Sequence, residues 1–64
     1  MSNWVDVHYE KAGEAMGWAQ ENCATYATVD VRPFEPPWPY CRFYFQGPPE
    51  FTSRDRVAFA LRWA

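Results

Sequence analysis

The chain has 64 residues, is 20% aromatic and carries a formal charge of -2 at neutral pH, with a pI near 5.1. This length suits one compact domain, residues 1–64, with a single core, and the acidic balance disfavours a nonspecific grip on nucleic-acid phosphates. No run reaches the roughly 20 apolar residues of a membrane span, and the N-terminus lacks a basic region followed by an apolar core, so a cytoplasmic protein is expected.

In so small a domain the aromatics must supply much of the core. Five Phe, four Tyr and four Trp are available, and a large ring covers about 150–250 Å² when buried. Cys23 and Cys41 are too few and too widely spaced for a zinc motif, and His8 adds one further ligand at most. No metal and no cofactor is expected. Both thiols are read as free and buried, with a disulfide as the alternative.

Residues Trp4 to Tyr9 alternate, with Val5, Val7 and Tyr9 on one face and Trp4, Asp6 and His8 on the other, which reads as a strand. From Glu10 to Cys23 the period changes. At roughly 100° per residue, Ala12, Ala15, Met16, Ala19 and Cys23 form one stripe of an amphipathic helix. Gly13 and Gly17 weaken that helix by up to about 1 kcal/mol each relative to alanine.

Two alternating runs then lie between Thr25 and Gln46. In the first, Ala27, Val29 and Val31 are expected in the core, with Tyr26, Thr28, Asp30 and Arg32 outside. In the second, Cys41, Phe43 and Phe45 point inward and Tyr40, Arg42, Tyr44 and Gln46 outward. Between them, Pro33 to Pro39 contains four prolines and reads as a stiff corner. Gly47-Pro48-Pro49 ends the ladder.

Thr52 or Ser53 is placed to cap a second helix running from about Ser53 to Trp63, with Asp55 near its positive end. Val57, Ala60, Leu61 and Ala64 share one face, and Phe59 and Trp63 form a second apolar pair. A short helix followed by a strand is the rival reading, disfavoured by the poor strand propensity of Ala58 and Ala60. The sum is an α+β fold of order βαββα: a three-stranded antiparallel sheet with two helices on one face, like a ferredoxin-like unit lacking its last strand. A right-handed first crossover places the third strand in the middle.

Two surfaces are candidates for function. Glu10, Glu14 and Glu21 fall within ~40° of one another on the first helix, opposite its apolar stripe, and form an acidic ridge suited to a basic groove. Asp6, Asp30, Glu35 and Glu50 extend it only if the fold brings them to that side. The plain alternative is a solvated helix face. The second surface is the uncovered sheet face, with Trp4, His8, Tyr26, Tyr40, Arg42 and Tyr44. Exposed aromatics can stack on unpaired bases, but Asp6 and Asp30 offset Arg32 and Arg42, so a protein-binding patch fits better. Mutual cover of Trp4 and Tyr44 across the strands is the plain alternative there. No arrangement expected of an enzyme is found: His8 lies beside Asp6 as a same-face neighbour, without a nucleophile at a motif spacing.

Met16-Gly17-Trp18-Ala19-Gln20-Glu21-Asn22, the strand Phe43-Tyr44-Phe45 and the segment from Arg54-Asp55-Arg56 to Trp63 resemble the small proteins of bacterial viruses. Many of these set a Trp-bearing helix before aromatic strands and close on a segment running from an Asp-containing turn to a Trp. Within that group the chain is similar to anti-CRISPR inhibitors, particularly the small acidic ones directed at type I systems such as type I-C. The similarity covers most of the chain and rests on pattern and size. It implies a non-catalytic, stoichiometric inhibitor of a bacterial CRISPR-Cas effector complex, working in the host cytoplasm without contacting nucleic acid itself. The groove that receives target DNA is then one place of binding, for which Glu10, Glu14, Glu21, Asp30, Trp4 and Tyr44 are the contact residues. A charge of only -2 departs from strongly acidic DNA mimics. A small nucleic-acid-binding or accessory interaction module, using the aromatic sheet face, is the alternative.

Overall fold

The computed structural model describes residues 3–31 and 39–64. In chain order it contains β1 (Trp4–His8), α1 (Tyr9–Asn22), β2 (Tyr26–Asp30), β3 (Tyr40–Phe45) and α2 (Pro49–Trp63). The strands form one antiparallel sheet in the order β1-β3-β2, so the α+β fold and the central place of the third strand are as the sequence predicts. Most of the proline-rich corner lies outside the described residues. Its last member, Pro39, accepts a hydrogen bond from the Tyr9 backbone N–H at 2.9 Å.

One face of the sheet is the floor of the core. Val5 and Val7 from β1 and Cys41, Phe43 and Phe45 from β3 are buried against Ala12, Ala15 and Ala19 of α1 and Phe59 of α2. The small side chains of α1 let it lie close to the sheet, and α2 supplies the bulk. Phe59 is fully buried, its ring centroid 4.9 Å from that of Phe43 and 5.5 Å from that of Phe45. Trp18 and Phe59, with centroids 6.2 Å apart, close the seam between the helices.

The alternation expected in β2 holds for only part of the strand. Tyr26 pairs with Phe45 and Thr28 with Tyr44, so Ala27 is an extra residue opposite a single step of β3. Such a bulge reverses the inward and outward sense of what precedes it. Tyr26 therefore turns to the core side, against Phe43 and Phe45, and not to the open face. Ala27 is exposed, and so is Val31, which lies beyond the last pair of the ladder. Val29, opposite Phe43, is on the core side as expected but only partly buried.

Both helices start earlier than the sequence suggests. Tyr9 opens α1 and is exposed, stacked on His8 with centroids 4.9 Å apart, and Met16 is exposed at the margin of the stripe. The N-cap is His8, whose Nδ1 accepts the Glu10 backbone N–H at 3.2 Å. Pro49 begins α2, where a missing N–H costs nothing. Thr52 is thus inside the helix, buried, its hydroxyl donating to the Pro49 carbonyl at 3.1 Å, and it does not act as the cap.

The face of α2 is also reversed. Phe59 enters the core, with Ala60 and Trp63 packed beside it, while Leu61 is 84% exposed and Val57 57% exposed. The rival terminal strand is excluded, because the helix continues to Trp63. Asp55 ties α2 to the segment before β2: its Oδ2 accepts the Thr25 backbone N–H at 3.0 Å and the Thr25 hydroxyl at 2.6 Å. At the turn before α2, Gly47 has φ +145°, and a Cβ there would stand 3.1 Å from Thr25 Cγ2. Both conditions favour glycine.

Candidate protein-binding interface

Helices cover one side of the sheet and leave the other open. On that open side the strand register arranges side chains in rows. Trp4, Tyr44 and Thr28 form the first, Asp6, Arg42 and Asp30 the second, and His8 and Tyr40 the third. The alternation of β1 and β3 dictates this placement, since every second residue must leave the core face.

Contacts run within each row, and Arg42 joins the second row to the first. Arg42 donates through Nε to Asp6 Oδ1 at 2.8 Å and through Nη2 to Asp6 Oδ2 at 3.2 Å, a two-point pairing across the strands. Its guanidinium also stands 4.5 Å from the centroid of the Trp4 ring. Trp4 meets Tyr44 edge to face at 6.3 Å and 60°, and His8 meets Tyr40 edge to face at 5.8 Å and 79°. The hydrogen bond that Arg42 donates to Asp6 pushes its guanidinium further up from the ordinary value, so the charge is retained. These side chains pack against one another while remaining accessible, with Trp4 39% exposed.

The sequence-predicted residues divide between two sides of the molecule. Trp4, Tyr44 and Asp30 belong to the open face, as do Asp6 and Arg42. Glu10, Glu14 and Glu21 are exposed on α1, in the layer behind the sheet. Glu10 reaches the open face only at its rim, in a shallow cleft shared with Asp6, His8 and Tyr40. Asp6 and Asp30 do not extend the acidic ridge, Glu50 is exposed on α2, and Glu35 lies outside the described residues.

Three features escaped the sequence reading. The capping role of His8 has no signal in composition, because Ser, Thr, Asp and Asn are the usual caps. The tie from Asp55 to Thr25 joins residues 30 positions apart. The outward apolar row of α2 was legible as a second helical face, but its aliphatic residues were assigned to the core in place of Phe59.

Both cysteines are free and buried. Burial pushes the Cys23 thiol from its ordinary 9.0 up to about 11, with the Asp55 carboxylate adding to the effect. Cys41 is raised by burial and by Asp30. Among the described residues, no group of three His, Cys, Asp or Glu is placed to hold a metal, and no helix is long and apolar enough to cross a membrane. The fold and this site define a small α+β domain with one open, aromatic sheet face. No protein-family model, curated protein or solved structure matches the chain.

Proposed function

We propose that this protein is a non-catalytic binding protein that engages a larger protein assembly through its open sheet face and inhibits it stoichiometrically. The resemblance noted from the sequence supplies the partner: a bacterial CRISPR-Cas surveillance complex, met in the host cytoplasm. The observation that carries the binding reading is the bonded set Trp4-Arg42-Asp6 with Tyr44 beside it. Trp, Tyr and Arg are the residue types that dominate interface energetics. Side chains already held in place lose less freedom on docking.

The same geometry weighs against the nucleic-acid alternative. Arg42 gives one edge of its guanidinium to Asp6 in a two-point pairing, with Asp30 opposite on the next strand. A phosphate would have to compete with two carboxylates for that cation. Aromatic stacking alone gives little grip without a basic track.

The test is binding of the surveillance complex by the wild type, Trp4→Ala and Tyr44→Ala, read by biolayer interferometry beside a labelled single-stranded oligonucleotide. Each substitution should weaken complex binding by about tenfold or more, as loss of a central aromatic contact does. Oligonucleotide binding should be negligible throughout. Tight binding of the oligonucleotide itself would overturn the inhibitor reading. If Glu10→Gln/Glu14→Gln/Glu21→Gln abolishes complex binding while Trp4→Ala does not, the acidic ridge is the contact surface and the sheet face is not.

A further inference from the structure

The two outer strands of the sheet are each paired on one side only, and they differ. β2 carries the bulge at Ala27, a feature that blunts an edge. β1 is regular: it pairs with β3 at every position from Trp4↔Tyr44 to His8↔Tyr40 and contains neither proline nor lysine. Its hydrogen-bond phase is set at the two ends, where the Phe45 N–H donates to the Asn3 carbonyl at 2.9 Å and the Tyr9 N–H to the Pro39 carbonyl at 2.9 Å. Asn3, Val5, Val7 and Tyr9 therefore turn their main-chain groups to β3. Those of Trp4 and Asp6, with the N–H of His8, point out of the sheet. Among the described residues no strand meets them. The helix α2 runs beside this edge. Trp4 and Val5 share a shallow cleft with Arg56, Val57 and Ala60, and further along Asp6 and His8 share another with Trp63.

From this we infer that an extended segment of the partner protein adds to β1 as a fourth strand, lying between the sheet edge and α2. The inference deepens the binding reading above and rests on it for the identity of the partner. An extended main chain repeats a donor and an acceptor at the two-residue spacing that Trp4 and Asp6 present, which neither a nucleic acid nor a lipid does. In an antiparallel addition, the residue opposite Val5 turns its side chain to the helix side, over Ala60 and the 57% exposed Val57, and the residue opposite Val7 turns toward Trp63. Both positions call for apolar side chains. The residues that alternate with them continue the open face beside Trp4 and Asp6. Charges along the edge have both signs, Arg56 at one end and Asp6, Glu10 and Lys11 at the other, so main-chain pairing and not a field selects the ligand. A second copy of β1 is the poorer occupant. Symmetric pairing about Asp6 sets two carboxylates opposite one another, and pairing about Val5 brings two Arg56 side chains into one cleft, each at a cost in repulsion. Pairing about Val7 runs the added strand into the start of α1.

The experiment begins with a display library of random linear peptides panned against the full chain, and the strongest binder, made as a free peptide, is the probe. Enriched sequences should alternate apolar and polar residues. In amide hydrogen exchange followed by NMR, Trp4 and Asp6 should exchange fast in the free protein and about tenfold or more slowly with the peptide bound, while Val5 and Val7 stay protected in both. Asp6→Pro removes an outward N–H without taking a bond from β3, and Asp6→Ala removes the same carboxylate but keeps that N–H. With folding verified by circular dichroism, Asp6→Pro should bind the peptide and the surveillance complex about tenfold or more weakly than Asp6→Ala. If Asp6→Pro does not fold, exchange in the wild type decides. A library without a binder, a bound peptide that leaves exchange at Trp4 and Asp6 unchanged, or equal affinities of the two variants would each overturn the inference. Should Trp4→Ala and Tyr44→Ala weaken complex binding while Asp6→Pro matches Asp6→Ala, the sheet face stands as the contact and the edge does not. Should the peptide bind with the expected exchange pattern while the surveillance complex does not bind at all, the edge stands and the choice of partner falls.

Discussion

Asp55 shows how one carboxylate can hold two elements. Its Oδ2 receives both the backbone N–H and the hydroxyl of Thr25, and Thr25 is buried, so removing the acceptor strands two donors away from water. Asp55→Ala is expected to cost about 1–3 kcal/mol in urea denaturation. An unchanged midpoint would mean that the Thr25 donors find other acceptors. Close by, Cys23 sets a limit on the alkaline side. The unfolded thiol ionises near the ordinary 9.0 and the folded one near 11, so the protonated form is the one the fold favours. Its contribution is complete below pH 9 and is lost as pH rises toward about 11. Cys23→Ala should accordingly lose less stability than wild type between pH 9 and 11 in parallel melts. Equal losses would show that this thiol does not govern the alkaline limb.

At the scale of the element, α2 has two apolar faces, and the structure chooses the aromatic one. Phe59→Ala should cost about 3–5 kcal/mol, because it empties the centre of a ring cluster with Phe43 and Phe45. Leu61→Ala, measured in dilute protein, should stay within about 0.5 kcal/mol. Comparable losses at the two positions would contradict the packing described. This helix also shows where sequence periodicity stops being informative. Helical spacing identifies Val57-Leu61 and Phe59-Trp63 as two faces but does not rank them. In β3 the reading held throughout, since Cys41, Phe43 and Phe45 lie in a strand with neighbours on both sides and no irregularity. In β2 it failed at Ala27, because one extra residue changes the sense of everything before it and leaves no mark in a short alternating run. The open-face residues Trp4, Arg42 and Tyr44 were legible for the same reason as β3. Their mutual bonding depends on cross-strand register, which local patterns do not contain.

For the whole molecule, the layers divide a packed interior from two uncovered sides. Packing between sheet and helices fixes the fold, while the open sheet face and the outward helix faces stay uncovered. The strand order carries a further consequence, for how the chain acquires its structure in time. β1 and β2 each pair with β3 and not with each other, and β3 is the last of the three to be synthesised. Until Tyr40–Phe45 has emerged, neither earlier strand has a ladder to join, and α1 has only part of a floor. A nascent chain ending before β3 therefore has no stable stopping point, and the domain is set to assemble in one cooperative step once its C-terminal third is present.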